Sequence, residues 1–202
     1  MAFTIHSLAP EHAEQAAAIH VVGQKDTFLT GLGPAFLRAL YAEMAMSSRC
    51  YGFVALDGDR VIGVVTGTVD SSAVFKELIY RRGLMLAWPV LVSMLRRPRL
   101  VAQVFETLTY PGRHELAAGE AELFFIGVRP DRRREGVGAA LFGALASESV
   151  RRGMRAMGLT VDASNDVARR FYRDRGMVSA GSFALYGRPM YWYRLSLEDD
   201  LL

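Results

Sequence analysis

Arg133-Arg134-Glu135-Gly136-Val137-Gly138-Ala139-Ala140-Leu141 holds the residue types best suited to chemistry, because it builds an anion pocket out of backbone. It follows an apolar run, Ala121 to Val128, that reads as a buried strand, and it opens what reads as a helix. Two glycines two apart let the chain turn sharply and approach a ligand with no Cβ in the way. The first turn of a helix has backbone N–H groups without internal partners and carries partial positive charge, so phosphates settle there. Arg129, Arg132, Arg133 and Arg134 read as mobile positive charge around it. A basic surface loop capping an ordinary helix would use the same residues, and the Gly motif alone does not separate the two.

A second motif runs from Asn165 to Gly176. Ser164 or Asn165 can cap a helix there, and Gly176 can end it in a left-handed turn. Asn165, Ala168 and Tyr172 recur at helical spacing and so share one face, with a small residue between an amide and a phenol. That face makes a shallow groove with a polar group at each end. A capped amphipathic helix with Phe171 and Tyr172 as core aromatics would show the same pattern.

Together and in this order, the two motifs resemble the GNAT superfamily of acyl-CoA-dependent N-acyltransferases. Arg133, Gly136 and Gly138 match the family's Arg/Gln-x-x-Gly-x-Gly/Ala signature; Asn165, Ala168, Phe171, Tyr172 and Gly176 match its Asn-x-x-Ala-x-x-aromatic-Tyr-x-x-x-Gly helix. The clear resemblance spans about Glu120 to Phe183, with a looser pattern toward the N-terminus. It implies acetyl-CoA, or a longer acyl-CoA, in a cleft between the strands Ala121–Val128 and Ala156–Val161. The diphosphate would lie on the loop of Arg133, Arg134, Glu135, Gly136, Val137, Gly138 and Ala139. The pantetheine arm would pair with the backbone of Ile126 and Val128, with Asn165, Ala168 and Phe171 further along the cofactor. Two residues depart from the pattern: Glu135 puts negative charge where relatives often carry Gly or a basic residue, and Met177 replaces a common Phe.

In the geometry so implied, a backbone N–H of the central strand polarises the thioester carbonyl and holds the developing oxyanion. Attack by an amine expels a thiolate whose thiol titrates near ~8.5, and a phenol near ~10 stays protonated at neutral pH to donate to it. Tyr172 fits that general-acid role by charge state and motif position. Deprotonating a lysine-like amine near ~10.4 costs about 4–5 kcal/mol at pH 7, against about 1 kcal/mol for one near ~7.8. A weakly basic acceptor therefore needs only a water chain, whereas a lysine needs a protein base. Glu122, at the start of the central strand, stands first for that base, with Glu120, Glu115 and His114 behind it; each also fits plain surface charge. His6, His12 and His20 lack ligand spacing and take no chemistry.

The elements that must position these groups follow from periodicity. Ala2 to Leu8 alternates as a strand, and Pro10 opens a helix through about Val22. Gly31-Leu32-Gly33-Pro34 begins a second helix with Phe36, Leu37, Leu40 and Met44 on its buried face. Tyr51–Leu56 and Arg60–Val69 form a hairpin around Asp57-Gly58-Asp59. After Ala121–Val128 come a helix at Val137–Arg152, a strand at Ala156–Val161 and the Tyr172 helix. Met177–Tyr186 and Met190–Leu197 close the chain as strands with a turn at Gly187-Arg188-Pro189. The order is α/β (α+β), and the resemblance implies a mixed, mostly antiparallel sheet flanked by helices.

Residues of about 70–119 fall outside that plan and read as a helical insertion, with helices at Gly83–Leu95 and Arg99–Leu108. It either packs on the body and walls the acceptor site, or turns an Arg-flanked apolar face to a membrane surface or a second subunit. Peripheral membrane contact and a homodimer thus stay open. The 202 residues fit one domain, residues 1–202, carrying that insertion. With 51% hydrophobic and 22% charged residues the composition is that of a globular protein. A net charge of +3 and no basic stripe interleaved with aromatics argue against a nucleic-acid partner. A lone Cys50 leaves no internal disulfide or metal cluster to expect and suits a reducing cytoplasm. Met1–Pro10 lacks a signal-peptide plan, and the longest apolar run, Gly83–Leu95, is shorter than the roughly 20 residues a transmembrane helix requires.

The resulting expectation is an N-acetyltransferase for a small-molecule amine, such as an amino sugar or amino acid. Transfer of a longer acyl chain, acetylation of a protein amine, and a non-catalytic acyl-CoA sensor are the alternatives.

Overall fold

Among the described residues, the segments read as strands form seven strands that hydrogen-bond into one sheet. They are β1 (Thr4–Ser7), β2 (Cys50–Asp57), β3 (Arg60–Thr68), β4 (Glu120–Val128), β5 (Ala156–Asp162), β6 (Val178–Leu185) and β7 (Arg188–Ser196). The helices are α1 (Ala13–Gly23), α2 (Phe28–Gly31), α3 (Pro34–Met46), α4 (Val137–Arg151) and α5 (Asp166–Arg173). This computed structural model describes residues 3–25, 27–70, 119–185 and 187–197, with residues 77, 80, 81, 83, 87, 90, 91, 93 and 95 between them.

The sheet order is β1-β2-β3-β4-β5-β7-β6. All neighbours are antiparallel except β4 and β5, which run parallel. One apolar cluster joins the sheet to α1 and α3 through Ala16, Ile19, Leu37, Leu40, Val64 and Phe125. The other joins the opposite face to α4 and α5. Val137, Leu141, Phe142 and Leu145 of α4 are all buried, the single stripe expected of an amphipathic helix. Its far end is tied to the sheet: Tyr51 Oη and Ser149 Oγ lie 2.6 Å apart, and the Arg152 guanidinium covers the Tyr51 ring at 4.5 Å. α4 is thus held along its length, and its N-terminus is presented at a set position.

Three sequence expectations change at element ends. Pro10–His12 forms a separate 3₁₀ turn before α1, and the short α2 precedes α3. The closing turn falls one step earlier than expected, with Arg188 and Pro189 inside β7 opposite Leu185 and Ala184. Proline's fixed φ suits extended backbone, and the Pro189 C=O accepts from Ala163 N–H at 2.9 Å. In the expected insertion, Gly83, Ala87, Val90, Leu91, Ser93 and Leu95 are helical, while Arg99–Leu108 lies outside the described residues. The described part packs on the body: Val90 joins the α1–α3 core, and Ser93 Oγ donates to Leu32 C=O at 3.2 Å. No helix among the described residues is long and apolar enough to cross a membrane.

His20 is a core residue that sequence reasoning passed over. It is 3% exposed, its ring stacks on Phe125 at 4.3 Å, and its Nδ1 lies 2.9 Å from Tyr41 Oη. Burial lowers its pKa to about 4. Because the unfolded chain binds that proton more tightly, His20 adds stability fully above about pH 6.5 and loses it as pH falls toward 4. The loss amounts to about 3 kcal/mol at pH 4. Denaturant unfolding at pH 7 and pH 4 will show a smaller difference for His20→Gln than for the parent by that order; equal differences would remove His20 from the acid response.

Candidate functional site

The loop after β4 is built from a 3₁₀ turn, Pro130–Arg132, followed by two left-handed residues that flank Glu135. Arg134 has φ +65°, and Gly136, the N-cap of α4, has φ +82°. Arg134 is the one non-glycine residue with positive φ among the described residues, a conformation costing roughly 1–2 kcal/mol. The first internal bond of α4 runs from Ala140 N–H to Gly136 C=O at 3.0 Å. The N–H groups of Val137, Gly138 and Ala139 therefore precede the helix's own bonding and emerge at its positive end. Two nearby left-handed residues ahead of a helix curl successive N–H groups into an anion-binding concavity.

The charges around the loop differ from the sequence expectation. Arg132 is not mobile: its side chain is 7% exposed, Nε donates to Glu135 Oε2 at 2.9 Å and Nη1 donates to Asp57 Oδ2. Arg129 Nε donates to Val61 C=O at 3.0 Å. Arg133 and Arg134 remain exposed on the loop. Glu135, the negative charge where relatives often carry Gly or a basic residue, is engaged by Arg132. The Arg132–Glu135 spacing of three was legible in sequence; Asp57, far away along the chain, was not.

Beside the loop, β4 and β5 part. They pair only at Glu120↔Ala156, Ala121↔Met157 and Glu122↔Gly158. The β3–β4 register shifts where Leu123 and Phe125 flank Phe124, and a bulge there raises the local twist. Arg129 N–H bonds Ile62 C=O on β3 at 2.8 Å. By alternation the backbone groups of Val128 and Ile126 turn the other way, into the gap between β4 and β5. Arg133 Nε reaches the Val128 C=O at 3.5 Å.

On α5, Asn165 is the residue, of Ser164 and Asn165, that caps the helix. It is the N-cap, outside the helix, and its Oδ1 accepts from Ala168 N–H at 3.1 Å. It is exposed, while Ala168, Phe171 and Tyr172 turn into the α4 side of the core. A Cβ on Gly138 would stand 3.2 Å from Phe171 Cε2 and 3.7 Å from Val128 Cγ2. The end of β4, the start of α4 and the α5 aromatic therefore meet at Gly138. Arg175 covers Phe171 at 3.5 Å and donates to its C=O at 2.7 Å. Tyr172 is 7% exposed between the Phe142 and Phe171 rings, and burial pushes its phenol well above the ordinary value. It is a proton donor throughout the physiological range.

Glu122 sits half-buried at the last paired position of β4 with β5, on the face opposite Ala121 and Leu123. Glu120 accepts from Arg194 Nε at 2.7 Å and so is committed to an ion pair. His114 and Glu115 lie outside the described residues. The Cys50 thiol is buried and pushed up to about 11, so it stays an inert thiol. Among the described residues no group of His, Cys, Asp and Glu is placed to hold a metal.

The model of the acetyltransferase (GNAT) family matches residues 23–177, and the chain belongs to that family. It is an acyltransferase whose family uses acetyl-CoA. No curated protein matches it in sequence. An N-acetyltransferase from Staphylococcus aureus Mu50 is similar in fold, with TM-score 0.64 and 16% identity over 98% of this chain and 100% of that one. PaiA N-acetyltransferase from Thermoplasma acidophilum in complex with coenzyme A gives 0.62 and 13% over 97% and 99%. The ribosomal-protein-S18-alanine N-acetyltransferase of Escherichia coli gives 0.56 and 19% over 100% and 99%.

Gly138→Val tests the meeting point of β4, α4 and α5. Its branched side chain drives against Phe171 and Val128, and calorimetric titration will show coenzyme A binding weakened by about tenfold or more, with the fold retained by circular dichroism. Unchanged affinity would place the coenzyme elsewhere.

Proposed function

We propose that the chain transfers an acetyl group from acetyl-CoA to the primary amine of a small molecule, such as an amino sugar or amino acid, by direct attack. The observation that carries this reading is the fork: β4 runs on past its last pairing with β5 at Glu122, turning the backbone of Ile126 and Val128 to the space beside the N–H groups at the start of α4. The residues fit the coenzyme. N–H groups of Val137, Gly138 and Ala139 hold a diphosphate, with Arg133 and Arg134 exposed beside them, and Glu135 set back in its ion pair. Ala168 and Phe171 wall the same end, and Asn165 fixes the start of α5. Bound acetyl-CoA supplies the activated acyl group.

Tyr172 donates the proton that the departing thiol needs. Its burial holds the phenol neutral and keeps water from competing for that proton. Glu122, where β4 and β5 separate, draws the proton from the attacking amine, directly or through water. The single domain carries the insertion at about 70–119 as a wall of the acceptor site, in keeping with Val90 and Ser93 packing on the body. Its buried lone thiol suits the cytoplasm.

Thiol release from acetyl-CoA, measured against amino sugars, amino acids, polyamines and peptides, tests the reading. Turnover with a small amine supports it; turnover only with peptides transfers the activity to protein amines, only with longer acyl-CoAs to another acyl chain, and none at all to a sensor. Tyr172→Phe will lower kcat by about a hundredfold or more, the usual contribution of a positioned acid, while coenzyme A affinity holds. Unchanged turnover in that variant would take Tyr172 out of the chemistry.

A further inference from the structure

We infer that Asp57, Arg132 and Glu135 form a positioning device that sets the α4 loop for its anion and withdraws the loop's own negative charge. The inference rests on the reading of that loop as the coenzyme A diphosphate site. Three observations carry it. The Arg132 side chain is 7% exposed, so its charge is spent inward rather than offered to a ligand. Its Nε holds Glu135, and its Nη1 holds Asp57 at the end of β2, which ties the loop to a hairpin beyond β4. Glu135 stands between Arg134 at φ +65° and Gly136 at φ +82°, so the clamp grips the crest of the strained turn.

A left-handed arginine persists only where its surroundings over-determine it. Here the backbone N–H groups of the turn point outward only while the crest is held, and the clamp is the side-chain contact that holds it. The same contact turns the Glu135 carboxylate onto a buried guanidinium. Without Arg132 that carboxylate would share the loop with an incoming diphosphate and repel it. Asp131 and Arg60 form a separate exposed pair at 2.8 Å, and Arg129 is occupied by Val61 C=O, so neither replaces Arg132.

The two effects have opposite signs at Asp57, which makes the device testable. Removing a carboxylate by Asp57→Asn should tighten binding of an anion if bulk charge alone mattered. Loss of the clamp predicts the reverse. Calorimetric titration of the purified chain with coenzyme A is run on the parent, D57N, R132M, R132K, and R132M combined with E135Q. D57N and R132M are expected to weaken binding, R132M by about tenfold, the size of one lost charge-assisted hydrogen bond. R132K recovers part of that loss, and adding E135Q to R132M recovers another part by removing the released charge. In turnover, KM for acetyl-CoA rises while kcat and the acceptor KM hold. Tighter or unchanged binding by D57N overturns the proposal, even if R132M fails to fold; so does an E135Q addition that recovers nothing. A parent chain that binds no coenzyme A instead removes the diphosphate reading itself.

Discussion

The parting of two parallel strands after three residue pairs governs the rest of the structure. Up to Glu122 and Gly158, β4 and β5 satisfy one another; beyond them β4 runs on to Val128 with its backbone facing a gap. Main-chain donors and acceptors in such a place cost free energy unless something pairs with them. Water can do so weakly, and an extended amide-bearing chain can do so along several residues at once. Under the proposed function, that chain is the pantetheine arm. The bulge at Phe124 opens it, and it moves Phe125 to the α1–α3 core while Leu123 stays with α4.

Charge near the fork is arranged by burial more than by number. Exposed ion pairs such as Arg60–Asp131 contribute little, because water and salt screen them. Arg132 is different: its guanidinium is 7% exposed and held by two carboxylates, and only the loss of both would leave its charge uncompensated. Tyr172 follows the same logic with the opposite need. Its surroundings of Phe142 and Phe171 disfavour phenolate, so burial keeps the hydroxyl protonated. His20, deep on the other face, is held neutral by the same cause and serves packing.

The helices place these groups through contacts at both ends. α4 is anchored at its far end by Tyr51, Ser149 and Arg152, and at its start by the Gly138–Phe171 approach. A side chain at Gly138 would therefore have to be met by a shift of the Phe171 ring. α5 is short, and Asn165 spends its carbonyl oxygen on capping it; the helix then carries Phe171 and Tyr172 onto α4. Rigid elements hold the N–H groups and the phenol, and the relation between them is set by side-chain packing in one core.

Much was legible in the chain alone. All seven strands were marked, Ala2–Leu8 by alternation and the others as short segments set off by turn residues. Gly136, Asn165 and Gly176 marked turns and caps, because their local backbone demands are met within a few residues. The family followed from those motifs in order. What only the folded molecule decided depends on residues distant in sequence: the fork at Glu122, the commitment of Arg132 to Asp57 and Glu135, the Glu120–Arg194 pair, and the burial of His20 against Tyr41 and Phe125. A one-dimensional pattern records which face a side chain takes on its own element. It carries no record of which partner the opposite element brings to it, and that partner sets whether a charge is free, paired or extinguished.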